Sequence, residues 1–416
     1  MSHLPKAIRA PYGRIEIEMS EPLPDIDTSG PNGDWNGVHV LARWKGYPVG
    51  RCWVHREHAG SKVSGEEIDE ILGSDTGYQI ATRRLTIETG PMEPATLPSL
   101  TMVVCTRNRA KLLERCLQSL VALELGGVVP ELLVVDNAPP DASTQDCVAG
   151  FPRVRYAREP MPGLDFARNR AIAECRTDYL AYIDDDATVD SGWLAAFAEA
   201  VRIHPDAGGF TGLVLPLQLE TEAQIRFELA GGFAKGFGQR RYGSDAWGDP
   251  IYPAGAGVFG TGANMVFRLD ALQAIGGCDD ALDTGPPLPG GGDIDLYYRI
   301  VRHGFPMVYD GGMLIFHEHR RDMPGLRRQY YTWGLGIMAL VEKNLLTDPE
   351  ARSRNRHLVL WLAKYYLIDL YHSLRGRRAK LPSHILAEIW GAIVGGRGEY
   401  RRSQARIARI REEFGQ

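Results

Sequence analysis

From Leu100 onward the chain alternates short apolar runs with helical patterns, and few folds accommodate that alternation. "LTMVVCT" (100–106), "ELLVVDN" (131–137), "FPRVRYARE" (151–159) and "DYLAYID" (178–184) read as strands. Between them "RAKLLERCLQSLVAL" puts Leu112, Leu113, Cys116, Leu117 and Leu120 on one helical face, and "DFARNRAIAEC" reads as another helix. This order predicts an α/β fold: a mostly parallel sheet flanked by helices. Ligands of such sheets bind beyond the carboxyl ends of the strands. The polar groups gather there: Thr106, Arg107 and Asn108 after the first strand, Asp136 and Asn137 after the second, and Asp184, Asp185 and Asp186 after the fourth.

The acidic triplet poses a physical problem, because three adjacent carboxylates repel one another. A divalent cation resolves it. Hard oxygen ligands suit Mg²⁺ or Mn²⁺, which in turn bind phosphate oxygens. A solvated loop can spell the same letters, but this triplet directly follows the apolar run Tyr179–Ile183.

The rest of the chain frames this region. Its 416 residues allow two or three domains. A net charge of -5 gives no sign of nucleic acid as a partner. Six cysteines without a CxxC pair read as reduced core residues of a cytoplasmic protein. No apolar signal segment opens the sequence. Residues 1–95 read as a small N-terminal α+β accessory domain: "GVHVLARW" and "GRCWVHRE" flank the turn "KGYP", and Ser64 with Glu67 is spaced as a capping box for a short helix. A proline-rich linker, "ETGPMEPATLPS", leads into a catalytic domain over 96–325. Residues 326–416 read as a helical, basic C-terminal region, with 14 Lys and Arg against 5 acids over 351–416. Within it "HLVLWLAKYYLIDLYH" is too short to span a bilayer. Followed by "RGRRAK", it has two readings: a peripheral contact with an anionic membrane face, or packing against the catalytic domain, which the interrupting Asp369 favours.

Seven segments, "VVCTRNR", "LLVVDNAPPD", "PGLDFARNRAI", "YIDDDATVDSGWL", "GTGANMVFR", "GGGDIDLYYR" and "FHEHRRD", resemble in order and spacing the family 2 glycosyltransferases with the GT-A fold. The resemblance covers about residues 98–345. It implies roles residue by residue. Thr106, Arg107 and Asp136 stand where the family binds base and ribose. Gly163, Arg168 and Asn169 match a segment lining the nucleotide pocket, with a structural ion pair the alternative for Arg168. Asp184 matches the acid near the ribose and Asp186 the metal ligand, while Asp185 shapes the turn or touches the donor. Asn264 matches a position bordering donor sugar and acceptor. His317 matches a metal-binding histidine; His319, on the same side by strand period, is the reserve, and Glu318 faces away. Asp293 matches the catalytic base. The family usually reads Gly-Glu-Asp here, and Gly292 replaces the Glu. Asp295 reads as a helix-start acid facing free N–H groups. "GGFAKGFGQRRYGSDAWGD" resembles a mobile acceptor-side loop, with Arg240 and Arg241 facing acceptor or solvent.

The implied activity is inverting, metal-dependent transfer of a sugar from a nucleoside-diphosphate sugar to a glycan or lipid-linked acceptor. "QYYTW" departs at Thr332 from the QxxRW of processive relatives, so transfer of one or a few sugars is expected. The alternatives are an inactive nucleotide-sugar-binding module, which Gly292 favours, and a nucleotidyltransferase. The latter usually carries a Gly-rich phosphate loop near its first strand, which "VVCTRNRAK" lacks.

Overall fold

The computed structural model describes residues 8–415 apart from 31–32, 57, 59, 90–94, 244–248 and 286. Part of the expected linker and part of the expected acceptor-side loop therefore lie outside the described residues.

The N-terminal unit holds strands β1 (Gly13–Glu18), β2 (Ser29–Gly30), β3 (Gly33–Asp34), β4 (Gly37–Trp44) and β5 (Tyr47–His55), followed by helix α1 (Gly65–Thr89). A three-stranded sheet runs β1-β4-β5. The short helix expected after Ser64 is a 25-residue element kinked at Gly73. Only half of the capping box forms: Glu67 N–H donates to Ser64 Oγ, while the Glu67 carboxylate pairs with Arg56 instead.

The central region follows the expected alternation: β6 (Leu100–Thr106), α2 (Ala110–Val121), β7 (Glu131–Asn137), α3 (Ser143–Ala149), β8 (Val154–Glu159), α4 (Leu164–Glu174), β9 (Tyr179–Ile183), β10 (Ala187–Val189), α5 (Trp193–Ile203), β11 (Gly209–Pro216), α6 (Glu222–Leu229), β12 (Arg240–Tyr242), β13 (Asn264–Arg268), α7 (Leu269–Ala274), α8 (Gly292–Arg302) and β14 (Met307–His317). Nine strands form one sheet in the order β10-β14-β11-β13-β9-β6-β7-β8, with β12 paired to β14. Strands β6 to β9 are mutually parallel, and β11 and β14 share their direction, whereas β13, β10 and β12 run the opposite way. This is the mostly parallel sheet the resemblance implied. Both its faces are covered, by core clusters around Leu117, Trp193 and Phe197 on one side and Ala171, Phe267 and Leu296 on the other. Arg240 and Arg241, expected in a mobile loop, lie in an edge strand, where Arg241 pairs with Asp206 at 2.7 Å.

The C-terminal helices are α9 (Met323–Thr347), α10 (Arg352–Leu374), α11 (Pro382–Gly395) and α12 (Glu399–Glu413). Helices α9 and α11 cross at Gly334 and Gly391. A Cβ on either would collide with the other helix's backbone, so only glycine permits this approach. The N-terminal unit docks through long polar side chains. Arg43 reaches Asp190 at 2.5 Å, Arg51 reaches Glu228 at 2.6 Å, and the Tyr47 hydroxyl donates to Asp310 at 2.7 Å.

Candidate active site

The strand-end triplet splits by direction. Asp185 turns under the first strand, accepting from Thr106 Oγ1 at 2.6 Å and Arg109 Nη1 at 2.8 Å. Asp186 turns the other way. Its Oδ2 lies 3.3 Å from Arg109, and its Oδ1 lies 3.0 Å from His317 Nε2. Asp184 Oδ2 is 3.9 Å from the same His317 nitrogen. Part of the cancelling charge is thus protein-borne, from Arg109 and His317. Arg107, expected near the base and ribose, is exposed; Arg109, at the N-cap of α2, is the residue that reaches the acids.

Burial raises the Asp184 carboxyl, and the Asp186 charge adds to it, pushing it up to about 6. Its side chain is still 42% exposed, and solvent there moderates the rise. Burial also works against ionised Asp186, but His317 and then Arg109 more than offset it and hold this carboxyl well below the usual range. His317 mirrors that: burial disfavours its imidazolium, and Asp186 followed by Asp184 outweigh burial, so its pKa rises.

Oxygen and nitrogen atoms of Asp184, Asp186 and His317 all lie within 4.8 Å of one another, the one such group among the described residues. Asp186 Oδ1 is buried and makes no well-aligned hydrogen bond, although His317 Nε2 lies 3.0 Å away. A buried carboxylate oxygen without a donor is costly in a finished structure.

The second histidine explains the first. His317 Nδ1 lies 3.3 Å from His319 Nδ1, and His319 Nε2 lies 2.8 Å from Glu228 Oε1. Burial lowers the His319 pKa more than Glu228 raises it, which keeps this imidazole neutral. The hydrogen-bond network then assigns the tautomers. His319 donates from Nε2 to Glu228 and accepts on Nδ1. His317 donates from Nδ1, and its Nε2 faces Asp184 and Asp186. That is how an outer carboxylate orients a metal-binding histidine. Burial would raise Glu228, but Arg51 and His319 outweigh it and hold it at about 2. Neither Glu228 nor Arg51 was legible as a site residue. As the strand period predicts, Glu318 faces away and binds Arg115 at 2.8 Å.

Asp293, in the first turn of α8, accepts from Gly262 N–H at 2.9 Å and Ile294 N–H at 2.8 Å, one donor for each carboxylate oxygen. Two backbone donors fix its orientation. Gly292 beside it has a steric reason: a Cβ there would collide with the carboxylates of Asp165 and Asp283. Those acids hold Arg168, at 2.8 and 3.0 Å. Asp295, expected at free helix N–H groups, instead binds Lys343 at 2.5 Å and Arg299 at 2.7 Å.

Several residues expected to contact a ligand are engaged with the protein itself. Arg168 is buried in the ion-pair arrangement just described. Asn169 clamps the 278–280 loop through Cys278 and Asp280. Asn264 is fully buried, accepting from Trp193 Nε1 and donating to the Leu213 and Met313 carbonyls. Asp136 is fully buried, with one oxygen on the Tyr156 hydroxyl and the other unpartnered. Gly163, at φ +148°, donates its N–H to Asn137 and starts α4. Aromatic rings close the histidine side: Phe233 packs on His317 at 5.4 Å, and Trp333 of the "QYYTW" segment lies 5.9 Å from Phe233.

Residues 101–264 match the profile described as Glycosyl transferase family 2. The pre-mycofactocin glycosyltransferase from two strains of Mycobacterium tuberculosis is 26% identical over 228 residues, covering 54% of this chain. The match spans 43% of each of those relatives, less than half their length. Among solved structures, the mannosyltransferase PcManGT from Pyrobaculum calidifontis, in complex with GDP-Man and Mn²⁺, is similar with a TM-score of 0.46 and 18% identity, over 80% of this chain and 87% of that one. TarS from S. aureus is similar with a TM-score of 0.42 and 13% identity, over 60% and 40%. The chain carries a glycosyl transferase family 2 domain.

Proposed function

We propose that the protein transfers a sugar from a nucleoside-diphosphate sugar to an acceptor hydroxyl, with inversion and with a divalent cation. The observation that supports this reading is the gathering of ligand atoms of Asp184, Asp186 and His317 within 4.8 Å of one another beyond the strand ends. These three residues would hold Mn²⁺ or Mg²⁺. A bound cation there supplies positive charge to the diphosphate as it leaves.

The chain's own residues do the rest. Asp293, oriented by the Gly262 and Ile294 N–H groups, takes the acceptor's proton as its oxygen attacks the anomeric carbon. The bond to the diphosphate oxygen breaks in the same displacement, so no covalent enzyme intermediate forms. Arg109 sits beside the acids and neutralises them while the site is being filled. Phe233 and Trp333 screen the histidine side from water. Thr332 in "QYYTW" fits limited, non-processive transfer.

A panel of nucleotide sugars, incubated with candidate acceptors with and without Mn²⁺, tests it. Metal-dependent release of nucleoside diphosphate with a glycosylated product is expected. Release of pyrophosphate would identify a nucleotidyltransferase instead. Donor binding without any transfer across the acceptor panel would identify a binding module.

A further inference from the structure

Helix α10 is turned inside out for a surface that meets water. Its inward side carries the polar Asn355, Asp369 and Ser373 alongside Leu358 and Tyr366. Its outward side carries Leu360, Trp361, Leu367, Tyr371 and Leu374, with Leu367 68% exposed and Trp361 48% exposed. Trp390 of α11 is also 54% exposed. Contiguous apolar surface of this kind is rare on a water-facing monomer. The residue that argued from sequence against an interfacial role, Asp369, does not interrupt this face. It is 5% exposed and points inward, toward Lys380 and Arg378.

Charge decides what covers the face. Between Arg352 and Lys380 the chain has eight Lys and Arg and one acid, and that acid is the buried Asp369. Lys364 lies on the exposed side amid the apolar residues, and Arg375, Arg377 and Arg378 are exposed at its end. A second copy placed on this face by two-fold symmetry would set the same basic groups against themselves. An anionic bilayer meets both features, taking Trp, Tyr and Leu side chains at the headgroup boundary and Lys and Arg at lipid phosphates. We infer that the exposed face of α10, with Trp390 of α11, docks the protein peripherally on an anionic lipid surface.

The test is co-sedimentation of the full chain with vesicles of phosphatidylcholine alone or mixed with phosphatidylglycerol, at low and physiological salt. Two variants accompany it, Arg375→Gln/Arg377→Gln/Arg378→Gln and Leu360→Glu/Leu367→Glu. Their thermal unfolding, compared with wild type, shows that exposed positions were changed without loss of fold. The expected result is binding to the anionic vesicles that weakens with salt. The triple variant should partition on the order of 100-fold less at low salt, and the Leu variant should stay in the supernatant. Binding of the folded variants at the wild-type level would overturn the inference. So would no wild-type binding to either vesicle, or a dimer in solution that only the Leu variant dissociates.

Discussion

Two groups of buried carboxylates flank the end of the sheet, and they are finished differently. Around α8, Asp165 and Asp283 share Arg168, and Asp295 is bound by Lys343 and Arg299. Nearly every charge there has a protein counter-charge. At the end of β9, Asp185 is matched by Arg109 and Thr106, but Asp186 keeps a buried oxygen without a well-aligned donor, and ligand atoms of Asp184, Asp186 and His317 lie within 4.8 Å of one another. Counting acids does not separate the two groups. Nor does counting unmatched acceptors, since Asp165 Oδ2 and Asp186 Oδ1 are both buried without a hydrogen-bond partner. What separates them is that two carboxylates and an imidazole bring ligand atoms within 4.8 Å of one another in the second group, which makes it the candidate site. Asp293 stands between them, held by backbone N–H groups alone.

The sharpest way to break this comparison is to remove an acid of the second group and the acid that stands between the two. Asp186→Ala removes a ligand and relieves repulsion, so it should fold and lose nearly all metal-dependent transfer. Transfer at the wild-type rate, or wild-type activity that survives excess chelator, would erase the distinction. Asp293→Asn keeps the Gly262 hydrogen bond but cannot take a proton. Turnover should fall about 10²- to 10⁴-fold with donor affinity little changed; a collapse of donor affinity at unchanged turnover would make Asp293 a binding residue.

Glu228 sharpens the comparison from outside the ring of ligands. Glu228→Ala should weaken Mn²⁺ binding by roughly 10- to 100-fold, and Glu228→Gln, which can still accept from His319, should recover part of the loss. Equal Mn²⁺ affinity in all three proteins would show that the tautomer assignment has no consequence. The same carboxylate predicts a pH dependence. Its folded pKa of about 2 lies below its ordinary value of 4.5. Its stabilisation is therefore present above pH 4.5 and is lost as pH falls toward 2. Arg51→Ala should move that loss to higher pH, as read by unfolding at stepped pH.

The smallest effect on transfer per folded molecule belongs to Arg168→Ala. It strands Asp165 and Asp283 without their cation, so the cost should appear as about 3–5 kcal/mol of stability in urea unfolding. A large loss of donor affinity at unchanged stability would return Arg168 to the nucleotide pocket.

What could be read from the sequence follows from period and position. The strands, their ends and the opposite facing of His317 and Glu318 all rest on period-2 alternation, which the sheet enforces. The inward residues of α2, Leu113, Cys116, Leu117 and Leu120, rest on the helical period in the same way. Polar residues in glycine-rich segments were harder, because a side chain facing a ligand and one satisfying the backbone look alike. Asn264 and Asn169 are of the second kind, tied to carbonyls more than 45 residues away in sequence. Arg109 was within view in "VVCTRNR", but nothing local separates it from Arg107. Glu228 and Arg51 are 177 residues apart and meet only when the N-terminal unit docks. The inverted face of α10 escaped because an interrupting acid says nothing about the side on which it lies.

The central claim is that Asp184, Asp186 and His317 form a cation site shared with a nucleoside diphosphate. Electron paramagnetic resonance of Mn²⁺ titrated into the wild type, Asp186→Asn and His317→Ala, each with and without UDP or GDP, tests it most directly. The account predicts that the wild type binds Mn²⁺, that one of the two nucleotides tightens the binding, and that both variants lose at least about tenfold in affinity. Unchanged Mn²⁺ binding in both folded variants, or no Mn²⁺ binding by the wild type with either nucleotide, would contradict it.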